Sequence, residues 1–90
     1  MTTALEGLRV LELGSGIASA VPGMFLAENG AEVIKVEPPS GDPSRGSPAF
    51  IVWHRGKKSV VLDLKAADDV QLFKQLVQTA DGLIENLRPG

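Results

Sequence analysis

Gly14 and Gly16, the small residue Ser19 and the acid Glu37 are the residues of this 90-residue chain whose types and spacing could hold a nucleotide. In the dinucleotide pattern the first glycine allows a tight strand-to-helix turn and the second lets backbone amides approach a pyrophosphate. An acid about twenty residues later accepts from a ribose hydroxyl. The third glycine of that pattern is replaced here by Ser19, and Pro22 follows soon after. These residues alone leave three readings open: NAD or FAD, another phosphorylated ligand, or a tight turn with no ligand.

A second candidate set is electrostatic. Residues 45–65 carry Arg45, Arg55, Lys57, Lys58 and Lys65 against the single acid Asp63, although the whole chain has a formal net charge of −2. A local positive excess in an acidic chain suits a polyanion such as a phosphorylated cofactor, and equally a solvated basic loop. Glu37, at the end of an apolar run, is either the ribose acceptor or a solvated strand-end acid. Trp53 and His54 read as a packed loop aromatic beside a solvated histidine.

Composition removes other chemistries. With no cysteine and one histidine, disulfides, thiolate nucleophiles and Cys-type or multi-His metal sites are excluded, so no metal is expected. No basic face supports nucleic-acid binding. The N-terminus has no signal-peptide run and nothing reaches the roughly 18 apolar residues of a membrane span. A soluble, cytoplasmic protein without membrane or nucleic-acid partners is the expectation.

The elements that must position these residues follow from the hydrophobic pattern. "LRVLEL" (8–13) reads as a first strand buried on both faces, and "AEVIKVE" (31–37) as a second, stopped by Pro38-Pro39. Between them a helix is predicted over about 20–29, with Pro22 in its first turn and Gly30 as its left-handed stop. Residues 38–58, rich in Pro, Gly and Ser, read as a long loop of the kind that is usually functional or mobile. "SVVLDL" (59–64) is a third strand. "KAADDVQLFKQLVQTA" (65–80) is a helix with Val70, Phe73, Leu76, Val77 and Ala80 along one face, and "DGLIEN" (81–86) is a fourth strand. The predicted class is α/β, a Rossmann-like three-layer arrangement with a small, mostly parallel sheet. Ligands of such sheets sit at the carboxyl ends of the strands.

Taken together, "LEGLRVLEL", "LAENGAEVIKVEPPSGDPSRG", "HRGKKSVVLDLK" and "ADGLIENLRPG" resemble the N-terminus of the family III CoA-transferases. This is the CaiB/BaiF group, which includes formyl-CoA transferase and α-methylacyl-CoA racemase. Members are several times longer, so the resemblance implies that residues 1–90 are the N-terminal, CoA-binding segment of a longer enzyme. It further implies an interlocked homodimer, with the remainder of the polypeptide as partner. The 90 residues alone are expected to be monomeric or non-specifically associated, and inactive.

The resemblance also implies the chemistry. Transferases of the family attack an acyl-CoA thioester with an aspartate carboxylate and pass through mixed-anhydride and enzyme-CoA thioester intermediates. The racemases move the α-proton of a 2-methylacyl-CoA with acid and base residues. Both sets lie beyond Gly90, so no catalytic residue is expected in this chain. A non-catalytic CoA or nucleotide-binding module and an NAD-type oxidoreductase domain are the alternatives of other classes.

Matching positions suggest a CoA site at Gly16, Ile17, Pro38, Arg45, Leu62, Lys65, Asn86 and Leu87. Gly16 and Ile17 would bring backbone amides to a phosphate. Pro38 stands where some members have an arginine beside the adenine. Leu62 would pack near the adenine, and Lys65 would reach a phosphate or simply start the next helix. Asn86 and Leu87 would line the pocket, with Leu87 in place of a common Phe. Arg45 and the Arg55, Lys57, Lys58 group would serve the phosphates generally. Many members read Ala-Gly-Pro after the first strand, whereas here the proline is displaced by two residues, to Pro22.

Overall fold

The computed structural model describes residues 5–14, 17–41, 46 and 54–85, with the backbone alone at 17–19. Four strands, β1 (Arg9–Glu12), β2 (Glu32–Glu37), β3 (Lys58–Val61) and β4 (Gly82–Ile84), form one sheet in the order β3-β2-β1-β4. Every neighbouring pair is parallel. Helix α1 (Ile17–Glu28) links β1 to β2, and α2 (Ala67–Thr79) links β3 to β4. The strand order reverses direction at β1, so the switch point of this doubly wound arrangement lies between β1 and β4.

The period-two alternation of β1 and β2 builds two different faces. Leu11, Leu13, Ile34 and Val36, with Leu62, form one buried cluster, on which Val60 and the α2 residues Phe73 and Leu76 pack, followed by Ala80. Val10, Ala31 and Val33 form the other, beneath Leu26 and Ala27 of α1. A helix on each face makes three layers. Leu11 and Val33 are fully buried, and each such side chain contributes about 1.5–3 kcal/mol of transfer free energy. Val77, expected on the buried face of α2, is instead 45% exposed.

Three local differences from the sequence reading have physical causes. Helix α1 starts at Ile17, not near residue 20, so Pro22 lies well inside it. Its ring removes the bond to the Ala18 carbonyl, a loss of about 3 kcal/mol in an ordinary helix interior. Packing offsets it, since Ala20 and Gly23 are buried against the sheet while Pro22 itself is exposed. Strand β3 runs over Lys58–Val61 rather than 59–64, because Leu62 turns into the core and Asp63 begins the turn before α2. Gly30 ends α1 at φ 102°, as its position predicts.

Candidate functional site

The carboxyl ends of the strands converge on one edge. Leu13 N–H donates to the Ile84 carbonyl at 2.8 Å, and Leu62 N–H donates to the Glu37 carbonyl at 2.9 Å, so the exits of β1 and β4 and of β2 and β3 are tied in pairs. Gly14 leaves β1 at φ 101°, the left-handed turn that opens the connection to α1. Pro38 follows β2 and is exposed, while Lys65 is exposed in the turn before α2.

The two helix N-termini at this edge differ in charge. Helix α2 carries Asp68 and Asp69 in its first turn, and the Asp69 carboxylate accepts from Asp63 N–H at 2.7 Å. Its positive end is already matched by its own acids. Helix α1 has no acid in its first turn, so its dipole is not matched there by an acid of its own.

The expected site residues divide accordingly. Pro38, Lys65 and the backbone of Ile17 lie at the carboxyl edge. Leu62 is there too, but its side chain is 5% exposed and belongs to the core under α2, so it supports the edge from below. Gly16, Arg45, Asn86 and Leu87 lie outside the described residues, as does Trp53.

The basic group does not form one patch. Lys57 is buried and pairs with Glu12 at 2.6 Å. Arg55 pairs with Glu28 at 3.2 Å on the surface. Lys58 pairs with Glu32 at 3.4 Å, toward the amino end of the sheet. Of these cations only Lys65 stands exposed at the carboxyl edge among the described residues. The amino end holds a separate polar groove lined by Arg9, Gly30, Glu32, Thr79 and Asp81. There Arg9 Nε lies 2.8 Å from Glu32, and Arg9 Nη1 donates to Thr79 Oγ1 at 2.7 Å.

Beneath α1 lies a buried charged cluster that the sequence reading misses. Glu12, Lys35 and Glu37 are at most 2% exposed. They occupy the α1 face of β1 and β2 just beyond Val10 and Val33, and Glu12 and Lys35 are direct cross-strand partners. Lys57 Nζ matches its three donors to Glu12 Oε1 at 2.6 Å, His54 Nδ1 at 2.8 Å and the Ala20 carbonyl at 3.1 Å. Because an ammonium only donates, His54 Nδ1 accepts. Ser59 Oγ donates to Glu37.

Two expectations are corrected by this cluster. His54 is 9% exposed rather than solvated, since it fills the space above Lys57. Glu37 is 1% exposed rather than a solvated strand-end acid, because its side chain points under α1 and accepts from Ser59. The signal available in sequence was the alternation Val33-Lys35-Glu37 beside Val10-Glu12, which places opposite charges on one face once the register is known.

Among the described residues no helix is long and apolar enough to cross a membrane, and no group of three or more His, Asp or Glu could hold a metal ion.

Known proteins share this arrangement. The chain is 45% identical to succinyl-CoA–D-citramalate CoA-transferase of Chloroflexus aurantiacus, over 96% of this chain and 24% of that protein. The crystal structure of Rv3272 from Mycobacterium tuberculosis superposes with a TM-score of 0.92 at 42% identity, over 98% of this chain and 25% of that one. A CaiB/BaiF family protein from Brucella suis gives a TM-score of 0.86 at 37% identity, over 97% of this chain and 26% of that one. The chain thus spans about a quarter of the length of the proteins it matches. The sheet order, the edge geometry and the sequence agree with the family described as CoA-transferase family III, which matches residues 5–90, and the chain belongs to that family.

Proposed function

We propose that this chain is the N-terminal, CoA-binding part of an enzyme that transfers CoA between an acyl-CoA thioester and a carboxylic acid. The observation that carries the reading is the acid-free N-terminus of α1 at the switch point of a parallel sheet, within a chain of this family. A CoA pyrophosphate against the 14–17 turn would meet backbone amides and the positive end of α1. Lys65, exposed and close to the same edge, would add a point charge to a phosphate. Pro38 would offer an apolar rim to the adenine in place of a cation, and Leu62 would hold that rim from within the core.

Gly16, Arg45, Asn86 and Leu87 belong to the proposed site by their match to the family pattern. The carboxylate that attacks the thioester would come from beyond Gly90, and a homodimer of the longer polypeptide would complete the site.

The test is to give the full polypeptide succinyl-CoA and D-citramalate, the pair named for the Chloroflexus relative, in deuterium oxide. Transfer predicts a new acyl-CoA with no deuterium gained at the α-carbon of either thioester. In a parallel reaction supplied with a 2-methylacyl-CoA, deuterium incorporation at its α-carbon, with no new thioester formed from a panel of acceptor acids, would instead establish a racemase.

A further inference from the structure

We propose that Glu12 is a positioning residue: through Lys35 and Lys57 it clamps both sides of the β1–α1 turn on which the phosphate site is built. The clamp rests on the CoA reading for its purpose but on contacts of this chain for its existence. Lys35 Nζ lies 3.5 Å from Glu12 Oε2 and donates to the Gly14 carbonyl at 3.4 Å. Lys57 Nζ lies 2.6 Å from Glu12 Oε1 and donates to the Ala20 carbonyl at 3.1 Å. One carboxylate thus anchors two ammonium groups, and each ammonium holds a backbone carbonyl at one end of the 14–20 segment.

Stability alone does not account for this arrangement. The amino half of the same face is filled by Val10, Val33, Leu26 and Ala27, and a buried ion pair is often no more stabilising than an apolar pair of similar volume. Among the described residues the charges of this face lie in its carboxyl half, beside the start of α1, where each ammonium reaches a backbone carbonyl, that of Gly14 or of Ala20. Gly23 independently marks the same contact: a Cβ there would overlap Glu12 Oε1 and come within 2.9 Å of Lys57 Nζ. The helix backbone has been brought down onto the clamp at the one residue that allows it. Among the described residues Glu12 and Glu37 balance Lys35 and Lys57, so the role proposed for the clamp is to hold the geometry of the turn.

The experiment uses the full polypeptide carrying these residues, with two variants, Lys57→Met and the double substitution Glu12→Gln/Lys57→Met. The second keeps Lys35 and Glu37 as a balanced pair among the described buried charges, and is the variant expected to fold where the first is destabilised. Amide hydrogen exchange is followed at residues 17–24 and, as a reference, at residues 33–36, and CoA affinity is measured by calorimetry.

In the folded double variant, exchange at 17–24 is expected to rise by about tenfold or more while β2 is unchanged. The CoA dissociation constant is expected to rise by about 10–100-fold, as when supporting partners of a binding group are removed. Unchanged exchange at 17–24 would overturn the clamp, and faster exchange with unchanged CoA affinity would overturn its positioning role. If the parent protein bound no CoA, the functional reading would fall, and the exchange data alone would still decide whether the clamp exists.

Discussion

The backbone of Gly23 crosses the Glu12 carboxylate so closely that a Cβ at position 23 would overlap Oε1 and lie 2.9 Å from the Lys57 ammonium. Helix α1 can therefore approach the sheet only without a side chain there. Gly23→Ala should thus destabilise the protein although alanine is the better helix former by about 1 kcal/mol. The expected loss is about 1–3 kcal/mol, the usual result of forcing extra atoms into a filled site. Urea denaturation checks it, and a gain in stability would show that α1 can lift without penalty.

Lys57→Met leaves the wholly buried Glu12 with its longer contacts to Lys35 at 3.5 Å and His54 at 3.8 Å, and leaves Glu12 and Glu37 facing Lys35 among the described buried charges. A loss of about 3–5 kcal/mol is expected, the range for breaking one side of a buried pair. Arg55→Ala serves as the control. Its contact with Glu28 joins side chains 72% and 47% exposed, so its removal should change stability by at most about 1 kcal/mol. Equal effects of the two substitutions in urea melts would contradict the burial argument.

How much of this was legible in sequence depends on the range of the interactions. Strands β1 and β2, the stop at Gly30 and the parallel α/β class follow from local apolar runs, Pro38-Pro39 and glycine conformations. The clamp does not, because Lys57 and His54 approach Glu12 from more than forty residues away, and no periodicity of β1 announces that meeting. Where the cations of residues 45–65 go was hidden for the same reason: Lys57, Lys58 and Arg55 are directed to three different acids by the fold. Pro22 misled locally, since the preference of proline for a first helical turn was overridden by packing of Ala20 and Gly23 on the sheet. The candidate edge itself was legible, because strand ends follow from strand order, and the family resemblance, which the family match bears out, supplied what spacing could not: a reason to propose CoA rather than a dinucleotide.

Glu32 gives the pH prediction. Desolvation acts to raise its pKa, but the Arg9 and Lys58 charges and hydrogen bonds outweigh it and hold the carboxyl below the usual range. A lowered folded-state pKa means that the ionised form favours folding above the unfolded-state value, and that this contribution fades as pH falls through the folded-state value. Stability should therefore decline on acidification below about pH 4.5, near the ordinary glutamate value. In Glu32→Gln that part of the decline should be smaller. Identical acid profiles in thermal melts of parent and variant would remove Glu32 from the account.

Lys65 and Lys58 separate the two ends of the sheet. Lys65→Ala should weaken CoA binding, and added salt should shrink the difference between parent and variant, because a point charge near a phosphate is screened. Lys58→Ala, at the amino end beside Glu32, should leave CoA affinity unchanged. Calorimetry of both variants at low and high salt checks the contrast, and equal losses would mean that the phosphate is not held at the carboxyl edge.

The central claim, that the carboxyl edge beside α1 receives CoA, is tested most directly by calorimetric titration of the full polypeptide with CoA, 3′-dephospho-CoA and NADH. The account predicts saturable binding of CoA, weaker binding of 3′-dephospho-CoA and the weakest response to NADH. NADH binding more tightly than CoA would contradict it.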